Sequence, residues 1–182
     1  QEMAGHAIAE AVKRSKVSKE EIDDVIIGAA GQQGSQQGNI ARQSLLRAGL
    51  PVSVAGMSLD RQCASGMMAI ATAAKEITED GMTITVGGGV ESVSLVRNEN
   101  FRMDRARDPW LEENIPSVYM TMIETAENVA KRYGISREAQ DEYSLQSQMR
   151  TANAQKNGFL DKEIVPLKST MRYKDRETGE IS

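Results

Sequence analysis

The chain has 182 residues, enough for one domain of ordinary size with a real core, or for one domain and part of another. Lys and Arg number 22 against 26 Asp and Glu, a formal net charge of −4, which argues against the basic surface that non-specific nucleic-acid binding requires. No apolar run approaches the ~20 residues of a membrane-spanning helix, and one cysteine cannot close an internal disulfide, so a reducing compartment is the simple expectation. A single histidine beside a single cysteine gives no zinc-ligand cluster.

The chain opens at Gln1, inside a segment with helical patterning. Met3 to Arg14 places Ile8, Ala11 and Val12 on one face. His6 lies on that helix with no cysteine or second histidine nearby and reads as an ordinary surface or boundary residue. Ser18 followed by Glu21 fits a capping box. Val25-Ile26-Ile27-Gly28 predicts a buried strand over 24–28. Gly31 to Asn39 is too polar and Gly-rich for a core element. It lacks the Lys-Ser/Thr of a phosphate-binding loop and reads as a connection, either flexible or packed beside a site. Asn39 is positioned to cap a helix over 40–48, which Gly49 and Pro51 end.

A strand is predicted over 52–59, then Asp60-Arg61-Gln62-Cys63-Ala64-Ser65-Gly66, then an Ala-, Met- and Ile-rich helix to about Thr78. Cys63 therefore stands at a strand-to-helix elbow. Such a turn exposes its side chain at the top of a sheet and aims backbone N–H groups of the helix start at it, which favours a thiolate. The alternative is a small buried core cysteine. A third strand is predicted over 82–87, followed by Gly87-Gly88-Gly89, where the backbone can be approached closely by a ligand, a helix or another chain. Glu91 reads as a hydrogen-bonded structural carboxylate.

Arg97 to Trp110 is charged and irregular, an excursion in which Trp110 is expected to act as an anchor. Helices follow over 120–133 and 136–157. Ile164-Val165-Pro166-Leu167 reads as an edge strand and the stretch to Ile181 as a hairpin barely begun. The two ends together read as those of a piece of a longer protein.

Several of these segments, in order and spacing, resemble the thiolases: EIDDVIIG, NIARQSLLRAGLP, DRQCASGMMAI around the elbow, GGGVESVS, and MIETAENVAKRYGIS. The likeness covers essentially the whole chain. It implies an α/β, thiolase-like layered fold, a mostly parallel sheet with helices on both faces. That fold would be incomplete here: an N-terminal α/β domain over 1–93 without its first strand, and the first part of the loop domain over 94–182. It implies acyl transfer: thiolytic cleavage of a 3-ketoacyl-CoA, or the reverse Claisen condensation of acetyl-CoA, through an acyl thioester on Cys63.

Met122 corresponds to a pocket-covering methionine near the acyl-chain and pantetheine end of the substrate. Thr121 stands where some members have a substrate-contacting histidine. The resemblance implies coenzyme A and acyl-CoA as substrates with no permanently bound cofactor. It implies a homodimer or homotetramer with no nucleic-acid partner and no membrane span. It implies a cytoplasmic, bacterial-like setting, with mitochondrial or peroxisomal ones open. The family's activating histidine and its second cysteine come from the C-terminal half, so this chain alone is expected to be inactive. Two alternatives stand beside this reading. One is a ketoacyl-synthase-like condensing enzyme; the other is a non-catalytic fragment acting only through subunit association.

Overall fold

The computed structural model describes residues 1–170, 173 and 175–180. It divides into two compact units, one formed by Gln1–Arg102 with Val165–Ser182 and the other by Met103–Ile164.

The first unit is a three-stranded parallel sheet. Strands β1 (Asp24–Gly28), β2 (Ala55–Leu59) and β3 (Thr85–Gly89) lie in the order β2-β1-β3. β1 is central and buried along its whole length, as an unbroken apolar run in a parallel sheet should be. Its side chains alternate between two cores. Val25 and Ile27 face helices α1 (Glu2–Ser15) and α2 (Ile40–Arg47), where Ile8, Val12, Ile40 and Leu45 close the larger core. Ile26 points the other way, against Ala69 and Ala73 of helix α3 (Ser65–Thr78). Helices thus cover both faces, and the chain has the expected α/β layering.

Local chemistry explains the element ends. Asn39 caps α2, its side chain accepting from the Arg42 N–H at 3.1 Å. Lys16 takes a left-handed conformation to end α1. The Ser18/Glu21 capping box is formed, although it opens only a single 3-10 turn.

Strand limits differ from the sequence expectations in two places. β2 starts at Ala55 rather than at 52, because the Val54 N–H donates to the Pro51 carbonyl at 3.2 Å and makes a turn there. β3 runs from Thr85 to Gly89 rather than over 82–87. The N–H groups of Thr83 and Ile84 are taken by the Asp23 carboxylate at 2.7 and 3.2 Å, and the glycines pair with β1 instead. The triplet is therefore the end of the strand rather than a segment that follows it. Its use is helix packing: a Cβ at Gly87 would lie 2.8 Å from Ile70 Cα, and one at Gly89 3.2 Å from Gly66 Cα.

A short helix α4 (Val93–Val96) follows β3. Residues 164–167 form no strand. The Ile164 N–H is bonded to the Leu160 carbonyl at 3.1 Å, Pro166 has no N–H to offer, and no described strand lies alongside. Of the expected terminal hairpin the turn is present: Gly179 N–H donates to Asp175 O, and the Asp175 carboxylate accepts from Glu177 and Thr178. Residues 171, 172, 174, 181 and 182, on which its strands would fall, lie outside the described residues.

The second unit carries α5 (Pro109–Asn114), α6 (Met122–Tyr133) and α7 (Arg137–Lys156). α6 and α7 match the two expected helices to within two residues at each end. Trp110 sits on α5 and is 61% exposed, so it is not a buried anchor among the described residues.

Candidate active site

All three strands are parallel, so their C-terminal ends lie along one edge of the sheet. The chain leaves that edge in opposite senses: from β1 it crosses through α2 to β2 on one face, and from β2 through α3 to β3 on the other. Parallel sheets bind ligands outside such an edge, where connections diverge. The segments that follow the three strands line one cleft there, of about 410 Å³, with the Cys63 side chain in its wall.

The elbow between β2 and α3 is fixed by short-range hydrogen bonds. Gln62 adopts a left-handed φ of 51°, unusual for a residue with a side chain. The turn is held on both sides. The Gln62 N–H donates to Asp60 Oδ1 at 2.7 Å, and the Ser65 N–H donates to the Gln62 carbonyl at 3.0 Å. Ser65 is buried. Its hydroxyl accepts from the Arg61 N–H at 2.8 Å and donates to the Gln62 carbonyl at 2.6 Å, pinning the turn to the helix start. Cys63 is left exposed next to the first turn of α3, where a helix leaves its leading N–H groups without partners inside the helix. The buried-core alternative for this cysteine does not hold.

Gly28 makes this placement possible. A Cβ there would lie 2.2 Å from the Ser65 carbonyl carbon and 2.6 Å from the Gly66 nitrogen. Only a residue without a side chain lets the helix start rest directly on the end of β1, which brings Cys63 to the strand termini.

The opposite wall is built around Glu91, whose carboxylate accepts from the N–H groups of Ala30 at 2.8 Å and Gly31 at 3.3 Å. Gln36, only 3% exposed, completes the knot. Its Nε2 donates to Glu91 Oε1 at 2.6 Å and to the Gly31 carbonyl at 2.8 Å, while its Oε1 accepts from the Ser92 N–H. Desolvation pushes the Glu91 carboxyl up. The hydrogen bonds from Gln36, Ala30 and Gly31, with the Arg97 charge nearby, outweigh it and hold the group below the usual carboxylate range. Glu91 is the structural carboxylate expected. The polar loop before it is packed beside the cleft, one of the two readings its composition allowed. Gln36 and Arg97, which also lines the cleft, carry no sequence signal of their own. A buried glutamine inside a Gln-rich loop looks like any other, and an arginine in a charged stretch looks solvated.

Thr121 and Met122 belong to the second unit. Thr121 caps α6 in a full capping box with Glu124: its Oγ1 accepts from the Glu124 N–H at 3.2 Å and donates to Glu124 Oε2 at 2.8 Å. Its hydroxyl is thus committed to the helix end. Met122, at the first position of α6, is 79% exposed.

The family described as the thiolase N-terminal domain matches residues 1–180. The chain is 39% identical over 184 aligned positions to an acetyl-CoA acetyltransferase of Cupriavidus necator, covering 96% of this chain and 47% of that protein. It is equally identical over 176 positions to a β-ketoadipyl-CoA thiolase of Pseudomonas putida, covering 89% and 44%. The crystal structure of the Bacillus anthracis acetyl-CoA acetyltransferase superposes with a TM-score of 0.77 at 35% identity, covering 99% of this chain and 47% of that one. The chain thus spans about half the length of the relatives it matches. With the parallel sheet, the cysteine elbow and the matched length in agreement, this chain belongs to the thiolase family and corresponds to its N-terminal part.

Proposed function

We propose that this chain supplies the nucleophile of a thiolase-type acyltransferase, with Cys63 as the residue that becomes acylated. The observation that carries the reading is an exposed thiol at a helix start, in a cleft formed where three parallel strands end. In the degradative direction, the Cys63 thiolate adds to the 3-keto carbon of a 3-ketoacyl-CoA. The resulting oxyanion collapses and the bond between C2 and C3 breaks. The acyl group stays on sulfur as a thioester. The acetyl-CoA enolate leaves and takes a proton from an acid outside this chain. A coenzyme A thiolate then adds to the thioester carbon and expels Cys63. The condensation of two acetyl units is the same path reversed.

Cysteine suits both halves, since its thiolate is a strong nucleophile and its thioester remains reactive. The Cys63 backbone N–H is the expected donor to the oxyanion, a kind of contact whose loss costs about 10²–10³ in rate. Met122, exposed at the start of α6, is the methionine that the family resemblance assigns to the pantetheine end of the substrate. Thr121 acts at one remove, by fixing the helix that presents Met122. The activating base and the proton-transfer cysteine lie beyond this chain, which is therefore inactive alone. Coenzyme A thioesters are the substrates, no cofactor stays bound, and the assembled enzyme is a homodimer or homotetramer.

The test is mass spectrometry of the protein carrying this chain after incubation with acetyl-CoA. The expected result is an acetyl adduct on Cys63 that free coenzyme A removes. A protein acetylated elsewhere, or turning over normally as the Cys63→Ala variant, would remove the basis for the proposal.

A further inference from the structure

Ser65 is the first residue of α3 and is only 4% exposed. A serine that served the helix would stand one place earlier, at the N-cap, and accept from an N–H of the first turn. That place belongs to Ala64, and no side-chain hydrogen bond caps α3 there. The Ser65 hydroxyl turns back to the elbow instead. It accepts from the Arg61 N–H at 2.8 Å, and its own proton goes to the Gln62 carbonyl at 2.6 Å. The Ser65 N–H reaches the same carbonyl at 3.0 Å, so one oxygen accepts twice from one residue. The β-turn around that carbonyl is closed by the Ala64 N–H on the Arg61 carbonyl at 3.1 Å, and Gln62 carries its positive φ. A residue with a side chain keeps such a conformation only where its surroundings fix it. Of the two side chains that hold Gln62, Asp60 is exposed and Ser65 is buried.

The Gln62 carbonyl and the Cys63 N–H belong to one peptide plane. That peptide is trans, as are all those among the described residues, so the two groups point in opposite directions. With the carbonyl drawn to the helix start, the Cys63 N–H is turned away from it, in a segment whose Gln62 and Cys63 line the cleft. We propose that Ser65 is a positioning residue for acyl transfer, its hydroxyl holding the Gln62–Cys63 peptide so that the Cys63 N–H is aimed at the oxyanion. This rests on Cys63 being the nucleophile. Ser65 touches no reacting atom. It sets the direction of a donor and leaves the reactivity of the sulfur itself unchanged.

Two reactions of the same thiol tell these effects apart. In acetylation by acetyl-CoA the sulfur bonds to the carbonyl carbon and the C=O electron pair moves to oxygen. The oxyanion then collapses, and the C–S bond to coenzyme A breaks with release of its thiolate. Alkylation by iodoacetamide forms an S–C bond at a saturated carbon and expels iodide, so no oxyanion appears. Both are followed by mass spectrometry of the Cys63 peptide, in the full protein carrying this chain. Ser65→Ala should slow acetylation at saturating acetyl-CoA roughly tenfold, less than the loss of a whole oxyanion donor, because the Ser65 N–H and Asp60 still hold the turn. The half-saturating acetyl-CoA concentration and the alkylation rate should each stay within about twofold of the parent, as befits a contact made only in the transition state. Equal losses in the two reactions overturn the inference, since Ser65 would then support the thiol itself, and leave Cys63 as nucleophile. Acetylation of Ser65→Ala at the parent rate overturns it in the same way. A parent protein that is alkylated at Cys63 but gains no acetyl group there overturns the nucleophile reading and the inference together.

Discussion

Gly28 sets how closely α3 approaches the sheet, and so where the thiol stands. The atoms that a Cβ would meet, the Ser65 carbonyl group and the Gly66 nitrogen, are backbone and cannot rotate away. Gly28→Ala must therefore push the helix start outward. We expect a loss of about 2–3 kcal/mol in stability, in the upper range for overpacking, measured as a lower urea midpoint. Alkylation of Cys63 should change in the same variant because the elbow moves with the helix. An alanine variant with an unaltered midpoint and alkylation rate would mean that the contact is far softer than drawn. This dependence was only half legible in the sequence. A glycine ending an apolar strand is visible, but its partner, 37 positions later in the chain, is not. Cys63 itself was legible because small residues and a helix start surround it locally. Gln36 and Arg97 matter through what folding brings to them.

Among the elements, α3 is the one whose sequence carried most and concealed most. Its Ala, Met and Ile content predicts a buried helix, and its start and end were legible to within a residue or two. Its effect on β3 was not. Read alone, 82–87 alternates like a strand and three glycines look like a turn. The register is decided instead by α3, which needs side-chain-free backbone under Ile70 and Gly66. At its far end α3 buries Glu76, 7% exposed, near Asp24 of β1, 8% exposed. Desolvation raises the Glu76 carboxyl above its ordinary range, and the charges of Asp24 and Asp80 raise it further. Desolvation likewise raises Asp24, against a hydrogen bond from the Val25 N–H. A carboxyl raised on folding is favoured when protonated. Its contribution is fully present below the unfolded pKa, about 4.3 for Glu, and is lost as pH rises through the folded value. Glu76→Gln removes that titration. The variant should gain stability over the parent on going from pH 5 to pH 8, with a flatter pH dependence of the urea midpoint. Parallel pH curves for the two proteins would rule out Glu76 as the source.

At the scale of the molecule, the order of α1–α3 and β1–β3 in the first unit and helices α6 and α7 of the second were legible because most are punctuated by their own caps, glycines and prolines, whereas the short α4 and α5 were not. What the composition of α3 also implies is a second covered face. A helix with apolar residues on two faces is suited to a core, yet here only the face bearing Ala69 and Ala73 is buried against the sheet. The other presents Met67, Ile70 and Ile77 at 77, 58 and 44% exposure. The layered arrangement expected from the thiolase resemblance puts this helix in a central layer, and the relatives matched are about twice as long. Left bare, an apolar stripe on the helix that covers β1 and β3 favours association with other copies. The isolated chain should therefore sediment as a concentration-dependent mixture of oligomers. Ile70→Lys, with Met67→Lys beside it, should shift that mixture toward monomer while changing the unfolding free energy by no more than about 0.5 kcal/mol for each substitution, as exposed substitutions do. Sedimentation velocity on the two proteins at matched concentrations reads this directly. A parent chain that is monomeric throughout would show that the outer face of α3 is not the adhesive surface its exposure makes it.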